Sequence, residues 1–555
     1  MKNVCTLLMA LLAILHFNAC KQATSAADKL ILYTNGKIWT GDTANPIANS
    51  MVVQGNTLIF VGARTGSPDA DSVVDLKGCM VVPGFIDNHT HFLSGGYQLS
   101  GVDLRKAKTP AEFISFLNAF IKADPGNSWI LGGDWDHEAW GGVLPNRQWI
   151  DSITGDRPVL LSRYDGHMAL ANTAALQVAG IDRHTKEVAG GEIVRETNGE
   201  PTGVLKDEAM GLVYARIPEP TAAQLDGWLH LATAHAHRNG VTQVHDVGSY
   251  GGWTDLETYR RAHAAKKLDL RVYSLVPLST WKKLETFVSQ NGRGDDRLHW
   301  GGLKGFVDGS LGSTTAWFYK PYLDAPHTAG LVLNDTLELR QWILDADAAG
   351  LQVAVHAIGD RANDWLLNVY EEAGQRNGQR DRRFRIEHAQ HLSEAAISRF
   401  AALDVVPSVQ PYHAIDDGRW AAKRLDDDRL RRTYPFASLL QAGAPMTFGS
   451  DWTVGPLTPI EGIYAAVTRR TLDDNNPEGW YPEQKITVEQ ALTCYTRNNA
   501  YAGFHENKTG MLKAGLLADF VVLSHDLLTI PPEQIKDIQV LQTYLDGKKV
   551  FATGE

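Results

Sequence analysis

The chain is poor in cysteine. Only Cys5, Cys20, Cys79 and Cys494 occur in 555 residues, and no two stand at CxxC spacing. That speaks against a structural zinc knuckle. Basic surplus is missing too: 53 Lys and Arg face 64 Asp and Glu, for a net charge of -11. Nothing reads as a basic stripe able to displace counterions from phosphates, so nucleic acid is disfavoured as a partner. The body also lacks any apolar run near the ~20 residues that a bilayer span needs, which excludes a membrane-spanning bundle. Wholesale disorder is excluded by a hydrophobic content of 44%. Fifty-one Gly and 23 Pro suit a fold with many turns rather than a long coiled coil.

One apolar run does occur, at the start. Residues 1–20 read Lys2, then an apolar stretch from Thr6 to Leu15, then Ala19-Cys20 before a polar segment. The run is too short for a stable span and fits a signal-peptide core. The small residue before Cys20 resembles a bacterial lipoprotein signal, in which that cysteine is diacylated, although Phe17 stands where such signals usually carry Leu. The plainer alternative is an ordinary cleaved leader. Either reading exports the protein, as a periplasmic or membrane-anchored lipoprotein held by the lipid on Cys20. Whether Cys79 and Cys494 pair is open at this point, and assembly into a homo-oligomer is left open as well.

The two ends of the body carry short β-like runs with turn signals between them: Leu30–Tyr33, Lys37–Trp39, Met51–Gln54, Thr57–Val61 and Ser72–Asp75, then Phe520–Leu523, Val540–Leu545 and Lys549–Phe551. They are expected to pack as one small sandwich, with residues 21–83 and 511–555 as its two parts. Between them lie eight apolar runs: Phe85–His91, Val241–Asp246, Arg271–Val276, Leu303–Asp308, Leu351–Ile358, Phe384–Gln390, Val405–Gln410 and Met446–Asp451. Helical patterns such as Leu337–Ala349 and Asn363–Glu372 alternate with them. Eight such units predict an α/β fold, a (β/α)₈ barrel over 84–510. The first gap is anomalous: about 92–240 is too long for a loop and must be an insertion with structure of its own. Its place after the first strand puts it at the barrel mouth.

The strand ends carry the chemistry. The first run ends His89-Thr90-His91, the fifth at Val355-His356, the sixth at Glu387-His388 and the eighth at Ser450-Asp451. In a parallel barrel these ends converge on one mouth, bringing four imidazoles and a carboxylate together. These are ligand types for Zn²⁺, Mn²⁺ or Fe²⁺. Lys304 joins them only if the fourth strand ends earlier than Asp308. A lysine suits such a site as a carbamate, which turns a cation into a bridging anion. His245 ends the second run and faces either substrate or a partner within the barrel.

The segment Val82 through His91 resembles the opening of metal-dependent amidohydrolases. The further stretches Leu131 through Asp136, Asp165 through Asn172, Lys304 through Gly312, His356 through Ala362, Glu387 through Gln390 and Gly449 through Trp452 are similar to the amidohydrolase 3 (YtcJ-like) family. The likeness covers nearly all of 30–550 and implies the barrel-plus-sandwich fold. It implies one metal on His89, His91 and Asp451, and a second on His356 and His388. Lys304, carboxylated, would bridge them, with two Zn²⁺ per chain as the expected pair. It further implies hydrolysis of carbon–nitrogen bonds other than peptide bonds in a small molecule, an N-acyl or N-formyl amine or a cyclic amide. A metal-bound hydroxide would attack, with Asp451 as general base and then acid. Trp135, His167, His245 and Arg361 are the expected substrate-binding residues. Trp135 as plain core, and Arg361 as a brace for a neighbouring loop, are the alternatives. A mononuclear heterocycle deaminase using His245, and an exported binding protein without turnover, are the competing functions. Asp308 reads as a loop-fixing carboxylate and Asp426-Asp427-Asp428 as a solvated helix face.

Overall fold

The computed structural model describes residues 29–63, 70–124, 126, 129–163, 168–188, 191–248 and 252–554. The leader with Cys20, and His167, lie outside these residues. No helix among the described residues is long and apolar enough to cross a membrane.

Eight strands form one sheet in chain order: β1 (Phe85–Thr90), β2 (Val241–Asp246), β3 (Arg271–Pro277), β4 (Leu298–Phe306), β5 (Gln352–Ala357), β6 (Arg385–His388), β7 (Val406–Val409) and β8 (Thr447–Phe448). Every pairing is parallel. Helices follow the strands, among them Thr254–Ala264, Trp281–Asn291, Thr336–Ala348 and Asp360–Asn377. This is the βα repeat of a TIM-like barrel. The seam between β8 and β1 closes just beyond β8: Asp451 N–H donates to His89 O at 2.8 Å, and His91 N–H donates to Trp452 O at 2.7 Å. The residues that close the barrel are thus the candidate ligands themselves.

The fourth strand differs from expectation. It starts five residues earlier and ends at Phe306, so Lys304 sits near its C-terminal end. The pair Gly301-Gly302 looks like a turn in the sequence, but the ladder runs through it with a register shift beside Ser274 and Leu275. Gly301 takes φ +132°, and a Cβ on Gly302 would meet Leu275 Cγ at 2.7 Å. Glycine here marks a bulge and a close approach, not a break. At the other end Asp308 leaves the ladder, because its carboxylate accepts from the N–H groups of Trp317, Ile358 and Gly359 at 2.7–3.0 Å.

The chain ends meet as expected. Met80–Pro83 pairs antiparallel with Phe520–Leu523 in a six-stranded sheet that faces a four-stranded one. In their shared core Phe520 and Tyr544 stack, and Tyr33 meets both rings edge-on. Arg271, at the start of β3, binds Asp519 through two nitrogens and also Asp546, tying the barrel base to the sandwich. Cys79 and Cys494 are both free.

The insertion leaves β1 directly after His91 through helix Phe92–Ser100 and returns through helix Ala222–Arg238. Between them is a six-stranded sheet with the order Gly191–Arg195, Pro201–Asp207, Met168–Ala171, Leu160–Arg163, Gly132–Trp135 and Val102–Asp103. It has its own apolar cores, one around Phe113, Leu117, Trp135 and Ile150 and another around Leu176, Ile193 and Leu205.

Candidate metal centre

Barrel strands are buried on both faces, so each polar side chain on them must find a partner inside. The four strand-end histidines do so with one ring nitrogen each. His89 Nδ1 lies 2.5 Å from Glu387 Oε2. His91 Nδ1 lies 2.6 Å from Gly248 O. His388 Nδ1 lies 2.8 Å from Gln410 Oε1. His356 uses its other nitrogen, Nε2, 3.1 Å from Gly309 O. An acceptor on one nitrogen places the proton there and leaves the other nitrogen as a lone-pair donor. The nitrogens that can offer a lone pair to a metal are therefore Nε2 of His89, His91 and His388, and Nδ1 of His356.

These rings cluster. Centroids lie 4.9 Å apart for His89 and His388, and 4.5 Å apart for His356 and His388. Asp451 Oδ1 stands 3.4 Å from His89 Nε2 and 3.3 Å from His91 Nε2. Those separations match the edge, about 3.4 Å, of a tetrahedron with zinc–ligand bonds near 2.1 Å. The donor set therefore fits a divalent metal on His89, His91 and Asp451. His388 and Asp451 also join His413 in a second group of three. His388 (φ 75°) and Asp451 (φ 55°) hold left-handed backbone. That costs of order 1–3 kcal/mol each, and such strain concentrates at functional sites.

Burial sets the charge states. It pulls His89 down to about 4 and His356 to about 3, and takes His388 well below its usual value, which disfavours the imidazolium form. Burial opposes ionisation of Asp451, but the imidazoles of His89, His91 and His388 hold its carboxyl well below the usual range. Lys304, also buried, is drawn down to about 8. Its Nζ lies 3.3 Å from His89 Nε2, and it has no ion-pair partner within 4 Å among the described residues.

A polar floor lies beneath. Glu387 accepts from Arg385 Nε (2.7 Å) and Ser408 Oγ (2.6 Å) as well as facing His89. Arg385 also donates to Asn88 O, and Asn88 Nδ2 donates to Ser408 and Thr447. Against burial, Arg385 and His89 hold Glu387 ionised. One network thus spans β1, β6, β7 and β8 and aims His89.

Three expected substrate residues are placed elsewhere. Trp135 is 0% exposed in the insertion core, with Nε1 donating to Leu161 O at 2.8 Å, so it is a packing residue. His245 points into the floor, with Nδ1 3.2 Å from Arg385 Nη1, and belongs to neither ligand group. Its position near the end of β2 did not reveal that depth. Arg361 lies on an exposed helix start, with its guanidinium 4.5 Å over the Trp317 ring, and braces that loop through cation–π contact rather than a salt bridge. Asp426 caps the helix Asp427–Leu430, while Asp427 and Asp428 pair with Arg431 and Arg432. His413, Glu387 and Gln410 are site residues that the spacing argument missed. Gln410 and His413 follow β7, the next strand after the His388 one, and a strand end was the signal available for both.

Comparison with known proteins gives the family. The model of the amidohydrolase family matches residues 72–551. Protein LONG AFTER FAR-RED 3 of Arabidopsis thaliana is 40% identical over 98% of this chain and 95% of its own. The putative amidohydrolase YtcJ of Bacillus subtilis (strain 168) is 32% identical over 88% and 92%. N-substituted formamide deformylase of Arthrobacter pascens is 29% identical over 94% and 98%. The crystal structure of an uncharacterized metal-dependent hydrolase from Pyrococcus horikoshii OT3 superposes with a TM-score of 0.76 at 29% identity, covering 91% of this chain and 99% of that one. With its barrel, its sandwich and its histidine-lined mouth, the chain belongs to the amidohydrolase family.

Proposed function

We propose that this amidohydrolase, a hydrolase of carbon–nitrogen bonds, cleaves N-formyl and other N-acyl amines, with cyclic amides as the related substrate class. The observation that carries the reading is the convergence of four anchored imidazoles, Asp451 and Lys304 on one mouth. The likeness to the formamide deformylase over 94% of the chain supports the acyl group.

His89, His91 and Asp451 would hold one divalent ion, and His356 and His388 a second. When bound, such ions activate water at neutral pH and polarise a carbonyl. Lys304 supports a pair. A buried ammonium without a carboxylate partner costs several kcal/mol, and carbamate formation removes that cation. We read it as the bridge, and zinc as the metal. Glu387 holds the His89 ring through Nδ1 and Gln410 holds the His388 ring in the same way, which would leave Nε2 of each for a metal. Asp451 can take a proton from the attacking water and return it to the leaving amine. Its Oδ2 is the oxygen turned away from His89 and His91, towards His413.

The test is amine release from a panel of N-formyl and N-acyl amines by protein loaded with zinc in bicarbonate. Wild type should release amine and carboxylate in equal amounts, and His89→Ala should not. Equal turnover by both proteins, or ammonia from an aminated heterocycle in place of amine, would overturn the reading. Export through a lipidated Cys20 belongs to the same proposal. An intact mass beginning at diacylated Cys20 is expected for the mature protein, and a mass that retains residues 1–19 would refute it.

A further inference from the structure

The expected ligands come from the ends of β1, β4, β5, β6 and β8. The helix after β7, Pro411–Asp417, carries an imidazole to the same place. The His413 ring lies nearly parallel to that of His388, at 11° and with centroids 6.4 Å apart. Its Nε2 is 4.0 Å from Asp451 Oδ2, its side chain is only 13% exposed, and Nε2 has no hydrogen-bond partner among the described residues.

The contrast with the other four histidines is chemical. Each of them has one nitrogen fixed by a carboxylate, an amide oxygen or a backbone carbonyl. Ligating imidazoles are held in that way, because the fixed nitrogen sets tautomer and ring angle. His413 has no such acceptor among the described residues. A nearly buried polar atom left unpaired beside a reacting centre calls for a partner that arrives with the ligand. Nor does its distance from Asp451 make a hydrogen bond.

We infer that His413 is a substrate-binding residue whose Nε2–H donates to the acyl oxygen of the scissile amide. The inference rests on the amide-hydrolysis reading above. The Asp451 carboxylate opposite favours the tautomer with the proton on Nε2. On the way to the tetrahedral state the acyl oxygen gains negative charge, so the hydrogen bond strengthens where it lowers the barrier. His413 would then act with Asp451 from one side of the substrate, the donor on the oxygen and the carboxylate on the nitrogen.

Two variants of the zinc-loaded full chain test this: His413→Phe, which keeps a flat ring without a donor, and His413→Asn, which keeps a donor. Zinc per chain, kcat and KM on an N-formyl amine, and Kd for acetohydroxamate are measured on each. Loss of such a donor should lower kcat by about 10²–10³ in His413→Phe with little change in KM, and His413→Asn should recover about a tenth of the wild-type rate or more. Acetohydroxamate should bind about tenfold more weakly to the Phe variant than to the Asn variant, the worth of one hydrogen bond. Zinc per chain should equal wild type in both. Unchanged kcat and affinity in His413→Phe would overturn the inference. Loss of a whole zinc ion would overturn it differently, by making His413 a ligand. If wild type releases no amine at all, the function reading fails on that result alone, and the ratio of hydroxamate affinities still decides the role of His413.

Discussion

The barrel and the insertion after β1 use polar residues in opposite ways. In the barrel, polar side chains are driven into a closed interior and must pair there, so Glu387, Arg385, Asn88 and Ser408 become a rigid floor that aims His89. In the insertion, a six-stranded sheet buries Phe113 and Trp135 in a local apolar core. Trp135 belongs to such a core, although it lies in a stretch that resembles the family. The difference teaches that chemistry here is fixed by strand ends facing one closed interior, whereas the insertion contributes shape around the mouth. Its seam with the barrel bears this out. A cleft of about 760 Å³ lies there, lined by Tyr97, Trp129, Tyr214 and Trp228 and by none of the candidate ligands.

That contrast can be broken from either side. The largest effect is expected at the mouth. Asp451→Asn keeps the shape of the side chain but removes its charge and its basicity, and kcat should fall by about 10²–10⁴ through lost proton transfer alone. Turnover within a few-fold of wild type would mean that the proton moves elsewhere. Next comes the floor. Glu387→Gln leaves an oxygen near His89 but removes the charge that orients the ring, so zinc affinity should fall about 10–100-fold in a metal titration. An unchanged affinity would detach the floor from the function.

The two regions also differ in how much of them can be read from the sequence alone. β2 and the end strands Phe520–Leu523 and Val540–Leu545 have the bounds expected; Asn239-Gly240 before β2 and Asp546-Gly547 after Leu545 punctuate the chain as turns. His89, His91, His356, His388 and Asp451 were legible as a set because parallel strands share one polarity. Three things were not. Gly301-Gly302 hid the start of β4, since a bulge and a turn ask for the same residue. The depth of His245 depends on register along the barrel axis, which spacing within one strand does not carry. His413 sits in the first turn of the short helix after β7, where strand periodicity does not reach. In the insertion, a buried tryptophan and a substrate-facing one look alike in sequence.

Smaller effects sharpen the insertion side. Trp135→Ala should destabilise the protein by about 3–5 kcal/mol through the cavity it leaves, with kcat and KM of the folded, zinc-loaded enzyme close to wild type. Denaturant titration beside steady-state kinetics checks both. A selective rise in KM would return Trp135 to the substrate. The smallest effect is expected for Arg361→Ala, which loses a cation–π contact worth about 0.5–1 kcal/mol at an exposed site and leaves turnover unchanged.

We propose above a pair of metals at the barrel mouth, bridged by Lys304. Metal content per chain, measured by mass spectrometry on protein purified without chelator or histidine tag, tests it most directly. Wild type loaded in bicarbonate should carry about two divalent ions per chain, and Lys304→Ala should carry fewer. One ion per chain in wild type, unchanged by Lys304→Ala, would contradict it.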